Sequence, residues 1–138
     1  MSDAARLVGT WHLVDYRIEL ADGREIAPLG SRPKGQLIYT AEGRMAAHLM
    51  HGGEPDPAAP PFPDPLVGGG YCGAYRVEDG RIYHDVEIAT VAGRPGTSLV
   101  REWSFDGEDL LLVARDGPRV PKPSKGTLRW RQRRGEEG

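Results

Sequence analysis

Hydrophobic and polar residues alternate along most of the chain. In residues 81–90 (RIYHDVEIAT), Ile82, Val86 and Ile88 fall on one side of a two-residue period, and mostly polar residues fall on the other. This alternation is typical of a β-strand that buries one face. His84 breaks the rule because it lies on the apolar side. It is either a core histidine bonded to the backbone or a working group in a cavity.

The same alternation recurs in nine segments and predicts nine strands. Turn signals separate them, among them Asp22-Gly23, Gly43 and Asp79-Gly80, and long helical periodicity is absent. A helical turn can precede Gly9 at the start of the first strand. The predicted strands are 7–20, 24–30, 35–40, 44–50, 73–77, 81–90, 98–105, 109–114 and 126–133.

Short turns between successive strands favour an antiparallel, up-and-down arrangement. An open sheet would leave two unpaired edges, so we expect closure into one all-β barrel of about 8–10 strands. A barrel of this size can hold one small ligand. The length of 138 residues suits one domain, residues 1–138.

Residues 52–70 (GGEPDPAAPPFPDPLVGGG) interrupt the strand pattern. They contain six of the twelve prolines and end in three glycines, so they cannot form a ladder strand. One interpretation is a lid over the barrel mouth, hinged at Gly68-Gly69-Gly70. The other is a flexible surface loop.

Composition and charge argue against nucleic-acid binding and membrane insertion. The net charge is −2, so the chain has no basic field of the kind that attracts nucleic acid. No apolar run reaches the ~20 residues of a membrane span, and the N-terminus lacks the pattern of a signal peptide. We expect a cytoplasmic protein, monomeric or homodimeric, without nucleic-acid or membrane partners. Its single cysteine, Cys72, cannot form an internal disulfide.

Hairpin geometry predicts which residues face one another. With Asp79-Gly80 as a turn, Tyr75 opposes His84 on the inner face of the barrel. On the next strand, Arg101 interrupts the apolar side that Trp103 shares. Unpaired buried polar groups cost on the order of 1–3 kcal/mol, so these side chains must bond one another, the backbone, water or a ligand.

Each candidate also has a structural interpretation. Arg101 could close one barrel end by stacking on Trp11, a role open to Arg129 or Arg131 as well. Register around Gly43 points Tyr39 inward and His48 outward, although the sequence does not settle which side is inside. Tyr39 could then line the cavity or simply pack in the core. Tyr71 shares the parity of Tyr75 and could line the mouth.

Metal and cofactor chemistry finds little support in the sequence. His48 and His51 have a helical spacing within a strand-like segment, so they fall on opposite faces. No glycine-rich nucleotide motif or nucleophile elbow is present. Cys72 lies on the parity opposite to His84, which favours an inert thiol. We expect neither a metal nor a cofactor.

Several motifs resemble the bacterial lipocalin-like domain family. They are LVGTW (7–11), PLG (28–30), PKGQLIYT (33–40) and EGRMAAHLM (42–50), with weaker matches YCGAYRV, HDVE, GTSLVREWSF and LRW. The resemblance implies a barrel with a pocket for a small apolar or amphipathic molecule, often in natural-product pathways. The family often has two histidines where this chain has His84-Asp85, so the resemblance carries over only His84 and Glu87.

Two functions remain open at this point. The first is a cofactor-independent cyclase or isomerase acting on a polyketide-like molecule. In it, Tyr75, His84 and Arg101 orient and polarise a carbonyl, and Tyr39, Tyr71, Trp103 and Glu87 bind the substrate. A shaped barrel would also hold a flexible substrate in a reactive conformer. The second is a non-catalytic carrier of a small hydrophobic ligand.

Overall fold

A computed structural model describes residues 4–59, 69–116 and 121–133. A 3₁₀ turn at Ala4–Leu7 precedes the strands. The nine strands are β1 (Gly9–Leu20), β2 (Glu25–Ile26), β3 (Lys34–Tyr39), β4 (Arg44–Met50), β5 (Gly69–Glu78), β6 (Arg81–Ala89), β7 (Ser98–Asp106), β8 (Asp109–Arg115) and β9 (Ser124–Gln132).

The strands form a closed antiparallel barrel. Eight of them follow the order β1-β3-β4-β5-β6-β7-β8-β9, and β1 also pairs with β9, which closes the sheet. The short strand β2 is a ninth, extra strand that pairs with β1 at Ile18↔Ile26. The predicted fold class, an all-β up-and-down barrel resembling lipocalins, is confirmed.

The turns form where the sequence places residues that tolerate positive φ. Asp79 and Gly80 have φ of 52° and 74°, and connect β5 to β6. Gly43, with φ of 91°, occupies the turn between β3 and β4. These turns give the predicted register, in which Tyr75 opposes His84 and Tyr39 opposes Met45. The turn at Gly107, with φ of 63°, likewise places Trp103 opposite Leu112.

The side chains that face the barrel interior are mainly large and apolar. They form a continuous cluster that includes two nearly inaccessible tryptophans, Trp11 and Trp130. The indole of Trp11 donates to the Leu7 carbonyl at 2.9 Å, which ties the N-terminal turn to the barrel. The other buried residues of this cluster are Leu7, Leu13, Leu37, Tyr39, Met45, Ala47, Ile82, Leu110, Leu112 and Leu128.

One expectation about the inner face is wrong. Ile88 was expected to share the buried side with Ile82 and Val86, yet it is 67% exposed. The register shifts here: Gly73 opposes Val86, whereas Cys72 opposes Ile88. Glu87 is therefore the extra residue of a β-bulge, which turns Ile88 outward and leaves Ala89 opposite Tyr71.

The segment before β5 is anchored over its described part. Backbone bonds join Ser31 to Glu54 and Arg32 to Gly52, and the Asp56 carboxylate accepts the Ala27 amide at 2.8 Å. Gly69 and Gly70, two of the three expected hinge glycines, belong to strand β5. Residues 60–68 lie outside the described residues, so the lid and loop interpretations both remain predictions.

Candidate functional site

His84 lies inside the barrel, as the register predicts. It is 1% exposed, between the buried residues Ile82 and Val86 on β6. A buried imidazole needs partners for both ring nitrogens. Nε2 lies 2.7 Å from the Tyr39 hydroxyl and Nδ1 lies 2.7 Å from the Tyr71 hydroxyl. Both partners of this ring are thus side chains, and neither is a backbone carbonyl.

The two tyrosines reach His84 from different parts of the sheet. Tyr39 ends β3, which is separated from β6 by β4 and β5, so this bond spans the interior. Tyr71 lies near the start of the adjacent strand β5. Tyr39 is 1% exposed, whereas Tyr71 is only partly buried. The Tyr39–His84–Tyr71 chain therefore runs from the fully buried core toward a more accessible part of the wall.

Arg101 joins this chain from β7. It pairs directly with Ile82, a buried inner-face residue, and is itself half-buried. Its guanidinium donates to the Val100 carbonyl at 3.0 Å, and its charge acts on the pKa values of His84, Tyr39 and Tyr71. Among the described residues, the cation–π contacts are Arg6 over Phe105 and Arg76 over Tyr83. Stacking of Arg101 on Trp11, the structural alternative, is thus not found there.

Arg129 and Arg131, the other candidates for a stack on Trp11, have a different role. Both bind the Asp109 carboxylate, Arg129 at 2.7 Å and Arg131 at 2.9 Å. These hydrogen bonds lower the pKa of Asp109 to about 2. Arg129 also binds Asp106 at 2.7 Å, and this ion cluster is separate from the His84 site and supports the β8–β9 pairing.

Burial keeps the Tyr–His–Tyr chain uncharged. Loss of solvation, followed by the nearby Arg101 charge, lowers the pKa of His84 to about 3. Burial likewise raises the pKa of Tyr39 well above its usual value, and that of Tyr71 less strongly against the opposing effect of Arg101. At neutral pH, the site therefore combines a neutral imidazole, two neutral phenols and one guanidinium cation.

Tyr75 is close to this group but is differently engaged. Its hydroxyl donates to the Thr40 carbonyl at 2.8 Å, and its ring lies 4.6 Å from that of Tyr39. The proposed polarising hydrogen of Tyr75 is therefore already used by the backbone. The structure gives Tyr75 the position of a wall residue that packs against Tyr39.

Trp103 lies next along β7 from Arg101, on the same face. Its ring packs edge-on against Phe105 at 5.8 Å. The indole Nε1 is buried and has no hydrogen-bond partner within the described ranges. Its N–H is thus a further donor on the inner wall, although its contact with a ligand stays a prediction.

Glu87 is not brought into the site. Because it is the bulge residue of β6, its side chain points outward and forms a two-bond ion pair with Arg44, at 2.8 and 2.9 Å. The pair is exposed, with about half of each side chain accessible. We therefore leave Glu87 out of the functional assignment.

Sequence reasoning placed Tyr39 and Tyr71 on the inner wall but missed their direct bonds to His84. The available signal was chemical, because a buried imidazole requires two partners and tyrosines are the nearest inner-face hydroxyls. Register alone pointed to Tyr75, which does oppose His84. However, the ring of an opposing tyrosine carries its hydroxyl past the imidazole, here to Thr40.

Comparison with known proteins agrees with this architecture. A family model described as a lipocalin-like domain matches residues 8–65, which cover β1 to β4. The chain is similar to this family over β1 to β4, and its closed barrel has a lipocalin-like fold. A search of the curated proteins found no match. The lipocalin-like fold suits the binding of a small molecule, while the choice of ligand depends on the polar side chains within it.

No metal-binding arrangement is evident in the described ranges of this lipocalin-like barrel. Over residues 4–59, 69–116 and 121–133, histidine, cysteine, aspartate and glutamate side chains do not gather in groups of three or more suited to a metal ion. Over the same residues, no helix is long and apolar enough to cross a membrane.

Proposed function

We propose that the barrel binds a small apolar or amphipathic molecule with a carbonyl group, and catalyses its cofactor-independent cyclisation or isomerisation. The observation that carries this proposal is the inward-facing cation Arg101 beside the Tyr39–His84–Tyr71 chain. Hydrogen-bond donors fixed in an apolar wall stabilise a developing oxyanion more strongly than water does. The apolar cluster around them supplies the binding surface for the rest of the molecule.

The chemistry follows from the charge state of the site. A histidine with a pKa of about 3 is a weak base at neutral pH, so direct proton abstraction by His84 is disfavoured. Polarisation of a carbonyl by Arg101 and Tyr71 does not require a base whose pKa lies near 7. The reaction that suits this site is the addition of an enol carbon to that carbonyl within one molecule.

Such an addition balances without a cofactor. A carbon–carbon bond forms between the enol carbon and the polarised carbonyl carbon, and the carbonyl π pair moves to its oxygen. The enol O–H proton ends on that oxygen, so that the product is an isomer of the substrate. Folding the chain inside the barrel brings the reacting carbons together and lowers the entropic part of the barrier.

A non-catalytic carrier is the second candidate. The observation that favours it is that neither His84 nor the two tyrosines bonded to it has a pKa near 7. A carrier would use the same donors to hold a carbonyl oxygen without changing the ligand.

One experiment separates the two functions. The probe is 1-(2-naphthyl)hexane-1,5-dione, which can cyclise, and the control is 1-(2-naphthyl)hexan-1-one, which has a single carbonyl. Fluorescence titration measures binding, and chromatography measures cyclised product. The cyclase proposal predicts binding of both and faster cyclisation of the dione, with a loss of about 10²-fold in Arg101→Met.

The alternative outcomes are distinct. A carrier binds both ketones but leaves the cyclisation rate at its value in buffer. If neither ketone binds, the small-molecule proposal itself is contradicted. A thermal unfolding curve of Arg101→Met identical to that of the wild type establishes that the variant reports on the site and not on folding.

A further inference from the structure

The Tyr39–His84–Tyr71 chain contains one hydrogen more than its two hydrogen bonds use. A neutral imidazole carries one N–H, and each phenol carries one O–H. Two of these three hydrogens lie in the bonds to Nε2 and Nδ1. The third must lie on the tyrosine that accepts from the imidazole N–H, and the His84 tautomer decides which tyrosine this is.

Placing the surplus hydrogen on Tyr39 is unfavourable. Tyr39 is 1% exposed, and among the described residues its hydroxyl bonds only His84. A buried hydroxyl hydrogen without an acceptor loses its solvation without replacement. This arrangement corresponds to the tautomer protonated on Nε2.

Placing the surplus hydrogen on Tyr71 avoids that loss. Tyr71 is only partly buried and lies within reach of the Arg101 charge, which acts on its hydroxyl. With the proton on Nδ1, the Tyr71 oxygen accepts from His84, and its own hydrogen is left for a third group. The positive charge of Arg101 disfavours a proton on Nδ1. That charge acts only on the dipole of a neutral ring, however, and this tautomer leaves no buried hydroxyl hydrogen without an acceptor.

The donors around Tyr71 also indicate the chemistry of the third group. Arg101 is a half-buried cation, and within the described ranges no carboxylate forms an ion pair with it. Glu102, the next residue along β7, is bound to Arg115, and Asp85 and Glu87 on the adjacent strand β6 are bound to Arg76 and Arg44. Among the described residues beside Tyr71, the inner wall thus offers the Tyr71 O–H and a guanidinium, but no carboxylate.

We propose that His84 is protonated on Nδ1, so that Tyr71 and Arg101 together bind an anionic oxygen of the ligand, a carboxylate or an enolate. Tyr39 is then a positioning residue that fixes the tautomer through Nε2, while Tyr71 touches the ligand. The ligand class in this inference rests on the proposed function, whereas the tautomer is a property of the free protein.

The tautomer is tested without any ligand. Two-bond and three-bond ¹H–¹⁵N correlation spectra of ¹⁵N-histidine protein distinguish a protonated ring nitrogen from an unprotonated one, with His84→Gln identifying the signal. We expect a protonated Nδ1 and an unprotonated Nε2 at pH 7. A protonated Nε2, or a doubly protonated ring, overturns the inference. In Tyr39→Phe, which removes the donor to Nε2, the signals should move toward a mixture of tautomers.

The ligand class is tested with two probes of the same shape, 2-naphthoate and 2-naphthamide. We expect the anion to bind at least tenfold more tightly, and Arg101→Met to abolish this preference. Tyr71→Phe should weaken 2-naphthoate more than Tyr39→Phe does. Equal binding of the two probes contradicts the anionic ligand, even if the ketones of the preceding experiment bind. Failure of every probe contradicts the proposed function and the ligand class, while the tautomer result stands.

Discussion

The hydroxyl of Tyr39 lies 2.7 Å from Nε2 of His84, on strands that are not neighbours in the sheet. The bond therefore crosses the barrel interior and joins β3 to β6 directly. Such a contact across the interior fixes both the barrel cross-section and the orientation of the imidazole. It links the stability of the fold to the geometry of the candidate site.

Replacement of His84 by leucine should destabilise the barrel. The leucine fills similar space but leaves the buried Tyr39 hydroxyl without its partner, at a cost of about 1–3 kcal/mol. Urea unfolding measures this loss. The double variant His84→Leu/Tyr39→Phe removes both polar groups and should lose less than the sum of the single changes. Strict additivity would show that the hydroxyl and the imidazole do not interact.

Stability should fall on mild acidification because of His84. Its pKa is lowered by burial from 6.5 to about 3, so the unfolded chain binds a proton below pH 6.5 that the folded protein excludes. This stability is fully present above pH 6.5 and is lost progressively as the pH falls toward 3. Between pH 7.5 and pH 5, the expected loss is about 2 kcal/mol.

The measurement compares urea unfolding at the two pH values. His84→Gln should lack most of this pH dependence. His12 has a lowered pKa as well, through burial and then the charges of Arg133 and Arg131, so that His12→Gln is the matched control. It should retain the larger part of the loss. An unchanged pH dependence in His84→Gln would place the titration elsewhere.

Strand register was predictable because turn chemistry is local. Asp79-Gly80 and Gly43 require backbone conformations that few residues adopt, and each fixes the pairing of the strands beside it. The position of His84 opposite Tyr75 follows by counting from such a turn. The inward orientation of Tyr39 follows from the same reasoning, once the more apolar side is taken as buried.

The bulge at Glu87 could not be read from the same pattern. Alternation continues through Ile88, and nothing in residues 81–90 marks an inserted residue. The decisive features lie on the partner strand and in the turn beyond. Gly73 lacks a side chain where the Asp85 carbonyl approaches, and Val86 exchanges backbone bonds with Thr97 and Gly96. These tertiary constraints override the local period.

Asp109→Asn should destabilise the barrel by about 1–2 kcal/mol. Asp109 holds Arg129 and Arg131, and the exposure of Arg131 keeps the contribution below that of a fully buried pair. Its pKa is lowered to about 2, first by the Arg131 hydrogen bond, so the stabilisation is present above pH 3.8 and lost toward pH 2. The free energy of unfolding, measured between pH 5 and pH 2, should therefore depend less on pH in the variant than in the wild type.

Glu102→Gln is the control for that substitution. Glu102 forms a comparable pair with Arg115, but both side chains are about half exposed, so the change in stability should be within ~0.5 kcal/mol. Equal losses in Asp109→Asn and Glu102→Gln would contradict a special role for the buried carboxylate.

Gly73→Ala should disrupt the β-bulge and, with it, the site. A Cβ at Gly73 would collide with the backbone carbonyl of Asp85, which cannot move away as a flexible side chain can. The strands must separate beside His84, so we expect a loss of more than about 2 kcal/mol in the free energy of unfolding and weaker binding of the naphthyl probes.

Gly126→Ala is the matched control, since its Cβ would meet Tyr16 and Ala114 at ordinary contact distances of 3.4 and 3.5 Å. Glycine to alanine is neutral or mildly stabilising where the space and backbone allow it. If the Gly73→Ala protein is as stable as Gly126→Ala, β5 and β6 do not approach each other as described. That result would also contradict the β5–β6 register that brings Tyr71 to Nδ1 of His84.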